Sequence, residues 1–288
     1  MKLKFMDCIA SAKSGNVKMM KTGENRKTVI VRGGGDLATG IIYRLWRSCF
    51  DVLCLEIPRP TVVRRFVAAA RAVYDGNCRI EDMDVCLAEN PDQIDFSKVI
   101  NVLIDPEGNS IALLRPFAVI DAMMSKRKTA TNKNMADLVL AIGPGFSAPE
   151  DVHGIVETKR GHSLGRLITK GSAEANTGIP GEILGFTCER LLRSPSDGYL
   201  SPASSIGERV KEGDVIGSVN GIPVKAQIGG VVRGLIHPSV LVREGSKIGD
   251  IDPRNEPGNC CIISDKALAV GGGVLEAILR FEARGRLD

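Results

Sequence analysis

The stretch from Thr28 to Glu56 constrains this chain more than any other. Thr28-Val29-Ile30-Val31-Arg32 is a short β-branched run that reads as a buried strand, and it ends on Gly33-Gly34-Gly35. From Asp36 to Phe50, Leu37, Ile41, Ile42, Leu45 and Trp46 fall on one helical stripe, and Asp51 to Glu56 is strand-like again. A strand, a glycine turn, a helix and a second strand in so short a span leave room only for a parallel βαβ crossover. The fold expected from this unit is an α/β protein with a Rossmann-like parallel sheet.

The turn carries its own chemistry. Gly33, Gly35 and Ala38 match the pattern G-x-G-x-x-[GA]. Glycines let a backbone approach a pyrophosphate, and the following helix offers unpaired N–H groups at its positive dipole end. Gly33, Gly34, Gly35, Asp36, Ala38, Thr39 and Gly40 are therefore candidate cofactor-binding residues. Glu56, at the end of the second strand, stands where a ribose-binding acid belongs. Asp36 opens the alternative: as a helix cap it would place a carboxylate where phosphate would sit, leaving the turn empty and used only for packing.

The alternation continues. Thr61 to Tyr74 carries Val62, Val63, Phe66, Val67, Ala70 and Val73 at helical spacing, with Gly76 as a stop, which predicts a second helix. Val99–Ile104, Ala118–Asp121 and Leu138–Ile142 read as strands. Residues 28–153 form the expected nucleotide-binding domain, preceded by a Lys-rich extension over 1–27 that lacks the apolar core of a secretory signal. Residues 154–194 are a glycine-rich transition, with a helix expected near Leu184–Leu192. Short Val/Ile runs broken by glycines make 195–257 a smaller all-β domain. Residues 258–288 return to helix, Val270, Val274 and Ile278 forming a face that packs on the α/β domain.

The all-β segment contains an echo. Val210-Lys211-Glu212-Gly213-Asp214-Val215-Ile216-Gly217 recurs as Val242-Arg243-Glu244-Gly245-Ser246-Lys247-Ile248-Gly249, which suggests a barrel of two similar halves, resembling the barrel-sandwich hybrid of biotinyl and lipoyl domains. The hairpin Ser218–Ile222 turns on Asn220-Gly221 and holds no lysine at its tip; Lys225 falls in the returning strand, so a prosthetic-group carrier is not expected.

Other clusters are open to two readings. Lys159 to Arg166 joins three cations, His162 and two glycines, so Lys159, Arg160, His162 and Arg166 are candidate ligands for an anionic group; a solvated basic loop is the alternative. Asp250 and Asp252 can hold a metal or pair with Arg254, and a surface turn with a local ion pair is the expectation. Gly271-Gly272-Gly273 lies in a helical stretch, at about 1 kcal/mol per glycine relative to alanine, which points to close approach of another backbone. Eight cysteines without a CxxC pair read as reduced, buried thiols, and the adjacent Cys260 and Cys261 have no legible role. No metal-ligand set is read, and no catalytic residue is assigned. Net charge is only +4, which makes no case for nucleic acid, and no run is long enough to span a membrane. The expectation is a soluble, cytoplasmic protein.

Four motifs together resemble the YqeB family: Val31 to Gly40, Glu56 to Thr61, Glu157 to His162 and Ile248 to Arg254. The resemblance runs from about Thr28 to the C-terminus. It implies an accessory or maturation factor of selenium-dependent molybdenum hydroxylases, related in its Rossmann-like half to XdhC-type chaperones. It also implies a molybdenum hydroxylase as client protein. The ligand would be a molybdopterin-type cofactor or a nucleotide (NAD, FAD or NTP), whose phosphates suit the glycine turn and the basic loop. Two other functions fit the same residues. One is an NAD(P)-dependent oxidoreductase, although Tyr43, Tyr74 and Tyr199 have no catalytic company in the sequence. The other is a non-enzymatic, partner-binding scaffold with an empty glycine turn.

Overall fold

The computed structural model describes residues 26–97, 99–125 and 129–287. The expected extension over 1–27, apart from its last two residues, lies outside the described residues. Nine strands form one sheet: β1 (Thr28–Arg32), β2 (Asp51–Glu56), β3 (Asn77–Ile80), β4 (Met83–Ala88), β5 (Ile100–Ile104), β6 (Ala118–Asp121), β7 (Leu138–Ile142), β8 (Gly154–Val156) and β9 (Leu167–Ile168). Their spatial order is β3-β4-β5-β2-β1-β6-β7-β8-β9. All neighbours from β4 across to β8 are parallel, and only β3 and β9 run antiparallel at the two edges. The six strands from β5 to β8 follow the 3-2-1-4-5-6 order of doubly wound dinucleotide-binding sheets, so the winding reverses between β1 and β6. The sheet also runs past residue 153, through β8 and β9.

Strands covered on both faces must be apolar throughout, and every residue of β2 and β7 is buried. Over one face lie α1 (Asp36–Arg47) and the long C-terminal helix. Ile41, Ile42 and Leu45 of α1 share a core there with Val29, Val31, Val52 and Ile120. The other face buries Ile30, Leu53, Leu55 and Val119 beneath Phe96, Ile111 and Phe146. Each such Ile, Leu or Val contributes about 1.5–3 kcal/mol by leaving water.

Two expected helices are corrected. Thr61 to Tyr74 forms only short 3-10 turns at Arg65–Val67 and Ala69–Arg71 and one helical turn, α2 (Ala72–Asp75). Its backbone is held by the glycine turn rather than by itself: Ala69 N–H donates to Thr39 Oγ1 at 2.9 Å and Ala70 N–H to the Gly34 carbonyl at 2.9 Å. Pro60 and the β-branched Thr61-Val62-Val63 further disfavour helix. Near Leu184–Leu192, Leu184 (φ 52°) and Gly185 (φ 83°) instead make a left-handed turn, and Leu191 starts a strand. The loop after β5 adds a short helix, α3 (Asn109–Leu114).

The all-β part comprises β10 (Leu191–Arg193), β11 (Leu200–Pro202), β12 (Arg209–Val210), β13 (Val215–Val219), β14 (Ile222–Lys225), β15 (Gly230–Leu235) and β16 (Lys247–Asp252). They form a four-stranded sheet, β10-β16-β15-β12, and a three-stranded sheet, β11-β13-β14. Both sheets contribute to one apolar core, including Leu192, Leu200, Ile216, Val232 and Ile248. The echoed segments place Gly213 (φ 88°) and Gly245 (φ 75°) at equivalent left-handed turns, and Asn220-Gly221 (φ 51° and 78°) closes the β13–β14 hairpin.

The chain ends in α4 (Asp265–Arg284). The Ser264 side chain accepts from Ala267 N–H to cap its start, and Gly285 (φ 70°) terminates it. Seven described cysteines are free thiols, but only Cys54 and Cys260 are buried; Cys49, Cys188 and Cys261 are exposed, against the expectation of buried thiols throughout. No helix among the described residues is long and apolar enough to cross a membrane.

Candidate functional site

At the switch point between β1 and β6 the carboxyl ends of the strands open into a cleft of about 590 Å³, a size that suits a small cofactor. Gly33, Gly35, Asp36, Ala38 and Glu56 line it, together with Arg32, Asp105 and the segment Ala122–Ser125. Gly35 is the N-cap of α1, and no side chain caps that helix. Its first-turn residues Asp36, Leu37 and Ala38 face the cleft, and the first intrahelical bond is Thr39 N–H to the Gly35 carbonyl at 2.8 Å. First-turn amides at an uncapped helix start are anion donors.

Asp36 is therefore not the cap. It sits one residue inside the helix, and both its carboxylate oxygens accept from Arg64 Nη1, at 3.0 and 2.9 Å. Arg64 is 8% exposed and also donates to the carbonyls of Asn259 and Ile262, tying the glycine turn to the approach to α4.

Glu56 is buried at the end of β2. Its carboxylate accepts from Gly34 N–H at 2.8 Å and from Ile57 N–H at 2.7 Å. Burial pushes this carboxyl above its ordinary range, although both amide bonds pull the other way. Glu56 thus shapes the turn by holding the amides of Gly34 and Ile57. Burial also pushes the neighbouring Cys54 thiol well up, which makes it an unreactive core group.

Thr39 and Gly40 point elsewhere. Thr39 is wholly buried and bridges the Gly35 carbonyl and Ala69 N–H. Gly40 is where α4 crosses: a Cβ on Gly40 would lie 2.4 Å from the Ala267 carbonyl oxygen, and one on Gly271 2.5 Å from that of Gly40. The glycine run in α4 is a close-packing device, as its sequence suggested.

The basic loop lies outside the cleft lining. Lys159 pairs with Glu174, Arg160 pairs with Asp265 at 3.1 Å, and Arg166 donates to the His162 carbonyl at 3.1 Å. Glu157 organises the loop by accepting from the amides of Thr158, Lys159 and Glu174. Asp250 and Asp252 form no surface turn: both are fully buried, held by Arg190, Arg233 and Arg254. They lie on β16 of the four-stranded sheet, so only the local Asp252–Arg254 pair matches the expectation.

Sequence reasoning passed over two cleft residues, Arg32 and Asp105. Arg32 donates to Thr131 Oγ1 at 2.7 Å, and Thr131 donates in turn to Asp121 at 2.6 Å. Asp105 accepts from the amides of Gly108, Asn109 and Ser110 and so starts α3. The available signal was positional: Arg32, Glu56, Asp105 and Asp121 each stand where an apolar strand run gives way to a polar residue, and ligands of such sheets sit outside those ends.

Strand order and cleft together define a mixed α/β protein with a crevice at its topological switch point. The chain is 41% identical over 272 residues to the uncharacterized protein YqeB of Escherichia coli (strain K12), across 93% of this chain and 50% of that protein. This likeness supports membership of the YqeB family, and the chain spans about half the length of that relative. No family model matches. Among solved structures, the ectoine utilization protein EutE (DoeB) from Ruegeria pomeroyi is 11% identical (78% of this chain, 86% of that one, TM-score 0.25). A succinylglutamate desuccinylase/aspartoacylase from Rhodobacter sphaeroides is also 11% identical (78% and 85%, TM-score 0.26). Likeness at that level carries no argument.

Proposed function

We propose that the chain is an accessory factor of selenium-dependent molybdenum hydroxylases that binds a phosphate-bearing nucleotide or molybdopterin-type cofactor in the switch-point cleft. The observation that carries the binding half is the uncapped start of α1, whose Asp36, Leu37 and Ala38 line that cleft. The Arg64 pair offsets the charge of Asp36, and Arg32 adds a cation to the wall. The cofactor's phosphate would sit on the amides of the glycine turn and α1, with Glu56 shaping the turn behind it. The molybdenum hydroxylase client and the cofactor class rest on the family resemblance, as does a cytoplasmic setting. The β sheets, in this reading, form a barrel-sandwich-hybrid-like unit that presents ligand or partner to the cleft.

The oxidoreductase alternative has less support. Among the described residues, the cleft lining contains no His, Tyr, Lys or Cys to move a proton. Thermal unfolding with ADP, NAD, FAD and molybdopterin tests the proposal. A ligand at 100-fold its Kd stabilises by about 2.7 kcal/mol, so a saturable rise in Tm is expected with at least one of them. No rise with any would leave the scaffold reading in its place, and saturable enhancement of NADH fluorescence would favour the oxidoreductase.

A further inference from the structure

The acids that line the switch-point cleft are already engaged. Asp36 is held by Arg64 at 2.9 Å, and the two oxygens of Glu56 accept from the amides of Gly34 and Ile57. Asp105 accepts from the amides of Gly108, Asn109 and Ser110 and from the Ser110 hydroxyl. What the lining has left to offer a ligand is hydrogen-bond donors, and they come as two sets.

The first set is the N–H groups of Asp36, Leu37 and Ala38, which precede the first intrahelical bond of α1 and meet no capping side chain. The second is Arg32. Successive residues of a strand point to opposite faces. Val29 and Val31 share the core beneath α1, whereas Ile30 belongs to the core of the other face, so Arg32 leaves β1 on the side away from α1. There it reaches the loop after β5: Nη2 donates to the Pro106 carbonyl at 3.1 Å, and Nη1 donates to Thr131 Oγ1 at 2.7 Å. Arg32 and Pro106 line the same cavity as the start of α1.

Arg32 is only 3% exposed, yet both of those acceptors are neutral. Thr131 passes its own proton to Asp121 at 2.6 Å, and that carboxylate also accepts from Thr129 Oγ1 at 2.8 Å and from Met123 N–H at 3.2 Å. The charge of Asp121 therefore reaches Arg32 through Thr131, and among the described residues no carboxylate pairs with the guanidinium directly. An arginine carries five N–H donors in a planar fork. Here Thr131 and Pro106 fix the fork in the cleft wall and leave donors to spare, which is the arrangement that grips an oxyanion at two points.

We propose that Arg32 is a specificity-determining residue of this cleft: it takes the second anionic group of a ligand whose first rests on the amides of α1, so the cleft selects an organic diphosphate over a monophosphate. The inference rests on the reading of the cleft as a phosphate site and narrows the class of ligand it holds. Leu37, Ile57, Val62 and Met124 line the rest of the cavity and suit the uncharged part of such a ligand.

Titration calorimetry on the full chain tests this by comparing ADP with AMP and inorganic pyrophosphate with orthophosphate. The diphosphate of each pair should bind about tenfold tighter or more, and the gap should narrow as salt rises. Arg32→Gln should weaken ADP about tenfold while changing AMP by less than about threefold, so that the preference collapses. Arg32→Lys keeps the charge without the fork and should restore part of the preference. Arg209→Gln removes an equal charge from the exposed side of β12 and should leave all four affinities unchanged. Equal affinities within both pairs in the parent chain overturn the role of Arg32 and leave the phosphate cleft standing, a readout that needs no variant to fold. A diphosphate preference that survives undiminished in folded Arg32→Gln overturns it as well. Binding of none of the four overturns the cleft reading and this inference together.

Discussion

Two adjacent glycines in the turn after β1 do different work. A Cβ on Gly34 would lie 2.7 Å from Ala70 N and 3.0 Å from Cys54 Sγ, so this glycine exists to let the 65–71 segment approach. Gly35 has extended backbone (φ −70°), and a Cβ there meets only Val62 Cγ1 at 3.7 Å. Gly34→Ala should therefore destabilise the protein by about 1–3 kcal/mol in denaturant melts. Gly35→Val should fold but place methyl groups where a phosphate would sit and abolish ligand binding; retained affinity in the folded variant would count against the cleft. The glycine pattern was legible in the sequence because a phosphate loop needs fixed spacing. The partners of Asp36 and Thr39 were not, because Arg64 and Ala69 reach them only once the chain has folded back. A third residue-scale prediction concerns acid. Burial pushes the Asp252 carboxyl up, but hydrogen bonds from Arg254 outweigh it and hold the group below its ordinary value. A carboxyl depressed on folding stabilises above its unfolded pKa, and that contribution is lost as pH falls through the folded value. Arg254→Ala should therefore move the acid-unfolding midpoint, followed by circular dichroism, to higher pH; an unmoved midpoint would show that the pair carries no linkage.

At the scale of elements, α1 and α4 are fitted to each other by glycines. A Cβ at Gly271 would strike the Gly40 carbonyl, whereas one at Gly272 meets nothing within 4 Å. Gly271→Ala should lower stability by about 1–3 kcal/mol through helix separation. Gly272→Ala, one position along, should raise it by up to about 1 kcal/mol through helix propensity alone. Equal effects in chemical denaturation would mean that the close crossing is not what the glycines serve. Helices α1 and α4 were legible because each keeps a single apolar stripe. Thr61–Tyr74 showed an equally good stripe and misled, since Val67 and the consecutive Ala68, Ala69 and Ala70 are all buried rather than on one face. Arg65 reaches the Leu235 carbonyl at 2.7 Å and Tyr74 stacks on His237, contacts that a periodicity cannot reveal. The V-[KR]-E-G-x-x-I-G echo was informative because each copy needs a left-handed glycine at the same place.

For the whole molecule, the parallel sheet supplies a crevice, and the four-stranded sheet carries a separate buried network of Asp250 and Asp252 with arginines. Asp36 lines the crevice and is held by Arg64, which also reaches the approach to α4. One wall of the crevice, Gly33, Gly35, Asp36, Ala38 and Glu56, was legible from the sequence, whereas Asp105 and Ala122–Ser125 were not, because they reach it from elements far along the chain. The order of the central strands follows from the repeated crossovers, whereas Asp250 and Asp252 become a buried network only when β16 meets Arg190 and Arg233 from elsewhere in the chain. The central claim is that the crevice holds a phosphate-bearing cofactor through the glycine turn and the start of α1. The direct measurement is mass spectrometry of small molecules released from protein purified without air from a host that makes molybdenum cofactor, alongside Gly35→Val prepared identically. A nucleotide or molybdopterin recovered from the parent chain and absent from the variant is the predicted result. An empty parent chain, or the same ligand recovered from both, would contradict it.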